Sequence, residues 1–246
     1  MRPPARFSRA IRLATAVAWV AVAAGTGCGG GGQHGSSGPT LFRFPATDPD
    51  GTLFVSKIVF HVDHNPAPAD NILTEIVCTN FEGQGFPQCY GDHTGSDFLL
   101  KGGFPEMDAG STDVVAGADG VVETVVDGNY DHCHISLAAL NSGGISCDGN
   151  PIVPNKVYIR HRDGLLSEYL HMMKDSIVVK VGQHVKCGQK LGKVGSSGRS
   201  STPHVHFELH AEDGTLLDPF AGPYSQPQSY WVEQVGPFGL PGQDCQ

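Results

Sequence analysis

The chain has 246 residues, of which 33 are glycine and 17 proline, with 17% charged side chains and a formal net charge of −9. This suits a turn-rich β protein, one ordinary domain plus extras, and argues against a helical bundle. Loss of a leader carrying Arg2, Arg6, Arg9 and Arg12 would leave 12 basic against 25 acidic side chains, a net of −13, which disfavours nucleic acid or anionic lipid as the main partner.

The Arg-rich stretch Met1–Arg12 precedes an apolar run, Leu13–Ala24, which has the length of a signal-peptide core and is too short to span a bilayer. Residues 1–27 therefore read as a targeting signal. Its end, Gly25-Thr26-Gly27-Cys28, has the look of a bacterial lipoprotein signal, with Cys28 as the lipidated residue. Gly25 stands where a larger aliphatic residue is usual, and plain secretion with cleavage nearby is the alternative. Residues 28–39 follow as a flexible Gly/Ser tether closed by Pro39. Without Cys28 the cysteines form an even set of six, which in an oxidising compartment predicts up to three disulfides. Loop economy favours Cys78–Cys89 and Cys133–Cys147, leaving Cys187 with Cys245. Six cysteines allow fifteen connectivities, so the pairing is open. A cysteine zinc cluster lacks the CxxC it would need.

Residues 40–89 predict a small N-terminal β extension, with strand character at Thr52–Val62 and a further apolar run at Asn71–Cys78. His61-Val62-Asp63-His64 offers a second metal site or, more plainly, polar residues where a strand runs into a turn. From Tyr90 onward strands alternate with Gly or Asp-Gly turns. Val114–Ala116 and Val121–Val126 predict one hairpin around Asp119-Gly120, and Val157–Arg160 and Ser167–His171 another around Asp163-Gly164. Ile177–Val181, Lys190–Val194 and His204–Leu209 predict further strands. No amphipathic helix is evident, so the expected fold is mainly antiparallel β, a sandwich or partly closed barrel. Asp131–Pro154 looks like an insertion stapled by its two cysteines. The Pro/Gly-rich tail, 221–246, is expected to wrap the surface.

Within Pro203–Leu209, Val205 and Phe207 alternate with His204 and His206, a half-buried strand presenting two imidazoles on one face. More than a hundred residues earlier stands His93-Thr94-Gly95-Ser96-Asp97. Taken with Ala118-Asp119-Gly120-Val121-Val122, Val157–His161, Tyr169-Leu170-His171, Val181–Gly192 and Gly195–Gly198, these motifs resemble the lysostaphin/LytM-type zinc endopeptidases that cut peptidoglycan peptides. The resemblance covers about Tyr90 to Asp218, a metallopeptidase domain at 90–220.

That resemblance implies one zinc ion per chain, held by His93, Asp97 and His206, with Gly95 permitting the tight turn that brings the first two together. A water in the fourth position would be acidified to a pKa of roughly 7 and serve as nucleophile. His171 and His204 match the two non-ligand histidines. His171 is assigned as general base or acid and His204 as orienting group, although the roles are exchangeable. Tyr169, on the same strand, is a candidate for supporting the tetrahedral intermediate, and His161 reads as structural or as a neighbour of a ligand. The implied partners are peptidoglycan peptide stems and, through Cys28, a membrane; no nucleic acid is expected, and the chain is expected to be monomeric. The implied location is the periplasm or outer membrane of a Gram-negative bacterium. Two other readings stay open: a silent relative that activates cell-wall amidases, and a cell-wall-binding lipoprotein with a structural metal. In related proteins an N-terminal segment blocks the groove, so residues 40–91 are candidates for autoinhibition.

Overall fold

The computed structural model describes residues 38–47, 60–65, 77–135, 144–236 and 239–246. The targeting signal with Cys28, most of the tether and the greater part of the strands expected at 52–62 and 71–78 lie outside these residues. Among the described residues every strand ladder is antiparallel, and the single α-helix is α1 (Phe104–Ala109). At six residues, with Pro105 in its first turn and Gly110 in the left-handed conformation closing it, α1 is too short to show a helical period in the sequence.

In the larger sheet the strand His204–His210 pairs with three others. Counting in chain order, the strands are β1 (Ala46–Thr47), β2 (Ser96–Leu99), β3 (Asp113–Val115), β4 (Gly120–Val126), β5 (His134–Ile135), β6 (Ile145–Ser146), β7 (Lys156–Arg160), β8 (Leu166–Leu170), β9 (His184–Val185), β10 (Lys190–Lys193), β11 (His204–His210) and β12 (Leu216–Leu217). The large sheet runs β12-β11-β8-β7-β4-β9, with β2 beside the first half of β11. A second sheet is β1-β3-β10, and β5 and β6 form a two-stranded hairpin.

Period-two alternation gives β11 its two faces. Val205, Phe207 and Leu209 are fully buried and join Phe98, Val122, Ile159 and Tyr169 from the large sheet with Val114 and Leu191 from the small one in one core. Each buried aromatic or aliphatic side chain of this kind contributes roughly 1.5–3 kcal/mol of transfer free energy. The opposite face of β11 carries His204, His206, Glu208 and His210.

Several expectations need correction. β3 and β4 do not form a hairpin, because β3 pairs with β1 and β10 while β4 pairs with β7 and β9. The connection between them crosses from one sheet to the other, and Gly117 N donates to Tyr169 Oη at 2.8 Å. The β7–β8 hairpin does form. Residues 177–181 run outside any ladder: Ile177 N goes to the Asp127 carboxylate and Val178 N to Leu191 O. The tail does more than wrap the surface, since Trp231 is a core residue and Tyr230 and Leu240 pack against the core. Residues 40–47 are equally integral, with Phe42, Phe44 and Ala46 buried in the same core.

The three disulfides are Cys78–Cys89, Cys133–Cys147 and Cys187–Cys245, the set that loop economy favoured. The last one clips the tail to the turn before β10, closing a sequence separation of 58 residues.

Candidate metal centre and the histidines around it

Strand pairing builds the centre. β2 and β11 run antiparallel with Asp97 directly opposite His206, the geometry in which paired side chains stand nearest each other. His93 precedes β2 by one turn, and its Nδ1 donates to His61 O at 2.8 Å, which turns Nε2 towards the same point. The result is a triangle of donor atoms. His93 Nε2 lies 3.2 Å from Asp97 Oδ1 and 3.3 Å from His206 Nδ1, and His206 Nδ1 lies 2.8 Å from Asp97 Oδ1. A tetrahedral zinc ion with bonds of about 2.0–2.1 Å places neighbouring ligand atoms roughly 3.3 Å apart. The donor set and its spacing therefore fit zinc.

Gly95 has a role that the sequence reading assigned differently. Its φ does not fall in the left-handed region, so the turn itself does not demand glycine. A Cβ at this position would lie 2.5 Å from His206 Nε2 and 2.8 Å from Phe207 O. Glycine is required because the chain passes close over the His206 ring.

His171 and His204 line the neighbouring wall. Their ring centroids are 4.6 Å apart, and His171 is 5.5 Å from His206. Alternation along β8 would send His171 to the core side with Tyr169. His171 instead takes a left-handed conformation, φ 62°, which histidine tolerates better than most residues, and its ring joins the histidine face. His171 Nδ1 donates to Ser197 O at 2.7 Å, and His204 Nδ1 donates to Thr202 O at 2.7 Å. Each ring thus keeps Nε2 as its unprotonated nitrogen when neutral. His204 Nε2 is 3.4 Å from Asp97 Oδ1.

The electrostatics separate the rings. Burial alone would raise the Asp97 carboxyl, but the charges of His93 and His204 and the bonds from His204 and His206 hold it well below the usual carboxylate range. Burial works against charge on His206, yet its bonds to Asp97 and Glu208 raise it to about 10. The place is therefore built for positive charge. His171 is driven well below 6.5, first by burial and then by the neighbouring imidazoles, so it is a neutral base at pH 7.

Three groups of side chains have donor atoms within 4.8 Å of one another: His93/Asp97/His206, His171/His204/His206 and Glu168/Glu208/His210. The first has donor atoms 2.8 to 3.3 Å apart, and it alone joins a buried carboxylate to two imidazoles. In the third, the donors are already bonded: Glu208 accepts from His206 and His210 at 2.8 Å each and from Thr94 Oγ1 at 2.7 Å.

The structure does not bring Tyr169 to the site. It is fully buried on the core face, packed on Phe207, with its hydroxyl between Gly117 N and Ser167 Oγ. His161 is also remote from the centre, bonded to Asp119 O and Ser167 Oγ at 2.8 Å each. The His61–His64 stretch forms no separate metal group among the described residues: His61 is packed between Phe81 and Phe220, and His64 pairs with Asp218 at 2.8 Å. Glu208 is the participant that the sequence reading missed. The signal for it was present, because it continues the alternation of His204 and His206 on the same face.

A mainly antiparallel β fold carrying a His/Asp/His donor triangle beside two further buried imidazoles is the architecture of a metallopeptidase. Residues 92–219 match Peptidase family M23, and the chain belongs to that family, in its LytM-type branch. The chain is 33% identical over 117 residues to the peptidoglycan DD-endopeptidase ShyC of Vibrio cholerae, covering 48% of this chain and 20% of that protein. It is 38% identical over 76 residues to the murein hydrolase activator NlpD of Escherichia coli, covering 30% and 19%. Among solved structures, the catalytic domain of the prophage-encoded M23 protein EnpA from Enterococcus faecalis is 31% identical, covering 62% of this chain and 94% of that one, with a TM-score of 0.37. The chain spans about a fifth of the length of the curated relatives it matches first.

Proposed function

We propose that this protein is a zinc endopeptidase that hydrolyses peptide cross-links of bacterial peptidoglycan. The observation that carries the reading is the triangle of His93 Nε2, Asp97 Oδ1 and His206 Nδ1, with sides of 2.8 to 3.3 Å, set against two imidazoles whose Nδ1 protons are committed to carbonyls. His93, Asp97 and His206 would hold the ion. When bound, zinc supplies Lewis acidity towards a peptide carbonyl and acidifies water. His171 is the base that accepts a proton at Nε2 and returns it to the leaving amine, work that needs a ring neutral at the operating pH. His204, with Nε2 near Asp97, orients the reacting groups and bears part of the developing charge. The buried surroundings of these rings strengthen each of these interactions relative to water.

A second reading is favoured by the likeness to NlpD: a LytM-type protein without turnover that activates cell-wall amidases. The five filled positions support the enzyme. Export is part of the proposal, as a lipoprotein anchored through Cys28 in the periplasm or outer membrane, and Cys28→Ser would then release the protein from the membrane fraction. The autoinhibition expected of residues 40–91 concerns a segment of which 48–59 and 66–76 lie outside the described residues. Deleting it would also remove Phe42, Phe44 and Ala46 from the core.

Mass analysis of muropeptides after incubation with the zinc-loaded protein tests the reading. Loss of cross-linked dimers with matching gain of monomers is expected. Zinc at one equivalent without any cleavage, together with stimulation of an amidase, would replace the enzyme reading with the activator one.

A further inference from the structure

The nitrogens of His171 and His204 that face carbonyls take their partners from one loop, Gly195–Thr202, and that loop is braced by the stapled hairpin. Ser197 O receives His171 Nδ1–H at 2.7 Å, and Thr202 O receives His204 Nδ1–H at 2.7 Å. On its other side the loop lies along the entry to β5. Cys133 N donates to Ser196 O at 2.9 Å, and Ser196 N donates to Asp131 O at 3.1 Å. Ser196 Oγ donates to Cys133 O at 2.7 Å and lies 2.7 Å from Ser200 Oγ, which in turn lies 3.2 Å from His204 Nδ1. Cys147, the far end of the staple, sets its sulfur 3.5 Å from Gly198 O. Pro154, where the insertion returns to the sheet, closes against Gly198 so tightly that a Cβ there would meet its nitrogen at 2.7 Å.

Most of these groups are shut away from solvent: Cys133, Ser196 and Ser197 are fully buried, and Cys147 and Ser200 nearly so, while Thr202 and Pro154 are half-buried. The buried hydroxyls of Ser196, Ser197 and Ser200 are all bonded, which restricts the arrangements open to the loop, because a buried polar group that loses its partner is left unsatisfied. The insertion is therefore more than an appendage on the surface. It completes the bonding of a segment that the rings need but that has no strand ladder of its own.

We propose that the hairpin held by Cys133–Cys147, acting through Ser196, is a positioning element that keeps both His171 and His204 in the Nδ1-protonated form with Nε2 turned to the metal centre. The proposal deepens the endopeptidase reading and rests on it for its kinetic consequence, but not for its structural one. Ser196 touches neither the donor triangle nor substrate. Outer partners of this kind change activity by about 10–100-fold through the side chains they orient.

The test compares the full chain, loaded with zinc, with Ser196→Ala, with Ser196→Thr, and with the double change Cys133→Ala/Cys147→Ala. Three quantities are read: bound zinc, kcat and KM on a cross-linked muropeptide dimer, and the ring-nitrogen shifts of His171 and His204 in long-range proton–nitrogen spectra. Expected for Ser196→Ala and for the double change are unchanged zinc stoichiometry, kcat lower by tenfold or more with little change in KM, and mixed ring tautomers where the parent shows one. Ser196→Thr, which keeps the hydroxyl, should restore both. Parent-like tautomers and kcat in Ser196→Ala would overturn the proposal, and this variant alone decides the question if the cysteine variant does not fold. Should the parent bind zinc and cleave nothing, the endopeptidase reading fails while the tautomer comparison still decides whether the hairpin positions the rings.

Discussion

Glu208 Oε1 accepts the Nε2 proton of His206 at 2.8 Å while Nδ1 of the same ring faces Asp97 Oδ1 at 2.8 Å. The carboxylate determines which nitrogen of His206 is left to bind an ion. Thr94 Oγ1 and His210 Nε2 hold Glu208 in turn, so the orientation of one ligand is set by a chain of bonds across β11.

Glu208→Gln should therefore weaken zinc binding by about 10–100-fold, the usual effect of losing an outer carboxylate partner, with far-UV circular dichroism unchanged. Glu168→Gln, which removes a neighbouring carboxylate that does not bond His206, should bind zinc like the parent. Competition with a chelator of known affinity checks both, and equal affinities for the two variants would remove Glu208 from the ligand-orienting role.

Gly95→Ala tests why glycine stands there. Its Cβ would press on the His206 ring and on Phe207 O, an overpacking that costs about 1–3 kcal/mol and displaces a donor atom. Zinc affinity should fall by at least about tenfold while the melting temperature drops modestly. Parent-like affinity would mean that the ring yields freely at that contact.

His206→Ala and His171→Ala should separate metal binding from turnover. The first removes a donor, and both zinc and hydrolysis should disappear. The second should keep one equivalent of zinc while kcat falls by about 10²–10⁴, the usual contribution of a positioned acid–base group. Metal analysis with muropeptide kinetics reads both; undiminished turnover in His171→Ala would take it out of the mechanism.

The pH dependence of folding has a component at His161, away from the metal centre. Burial lowers its imidazole below the ordinary 6.5, so the folded protein keeps it neutral while the unfolded chain protonates it. Its contribution is full above the unfolded value and is lost as pH falls below about 6.5. In metal-free protein, His161→Gln should be less stable than the parent at pH 7.5 by about 1 kcal/mol for its altered hydrogen bonds. The gap should narrow towards pH 5.5. Urea unfolding at the two pH values measures it, and a constant gap would show that His161 titrates alike in both states.

What misled the sequence reading follows one rule. Tyr169 looked like a site residue because it lies on the strand of His171. The left-handed turn at His171 puts the two rings on opposite sides of the sheet, and a positive φ at a non-glycine residue leaves no mark in composition. The Asp119-Gly120 turn looked like a hairpin because turn chemistry is local, whereas the partners of β3 and β4 are chosen by distant strands. Glu208 was legible in the alternation of β11, but its importance depends on a bond to His206 that alternation alone does not state.

Local chemistry in the chain determined the β class, the two faces of β11, the small set of histidines and aspartate able to bind an ion, and an even set of six cysteines beyond Cys28. Those are short-range properties: a period of two, a turn dipeptide, a donor atom. The register that places Asp97 opposite His206, the close pass of Gly95 and the bracing of Ser196–Gly198 by the Cys133–Cys147 hairpin were decided only in three dimensions. Each joins segments tens to more than a hundred residues apart, and burial of the shared core selects among pairings that local propensity leaves equivalent.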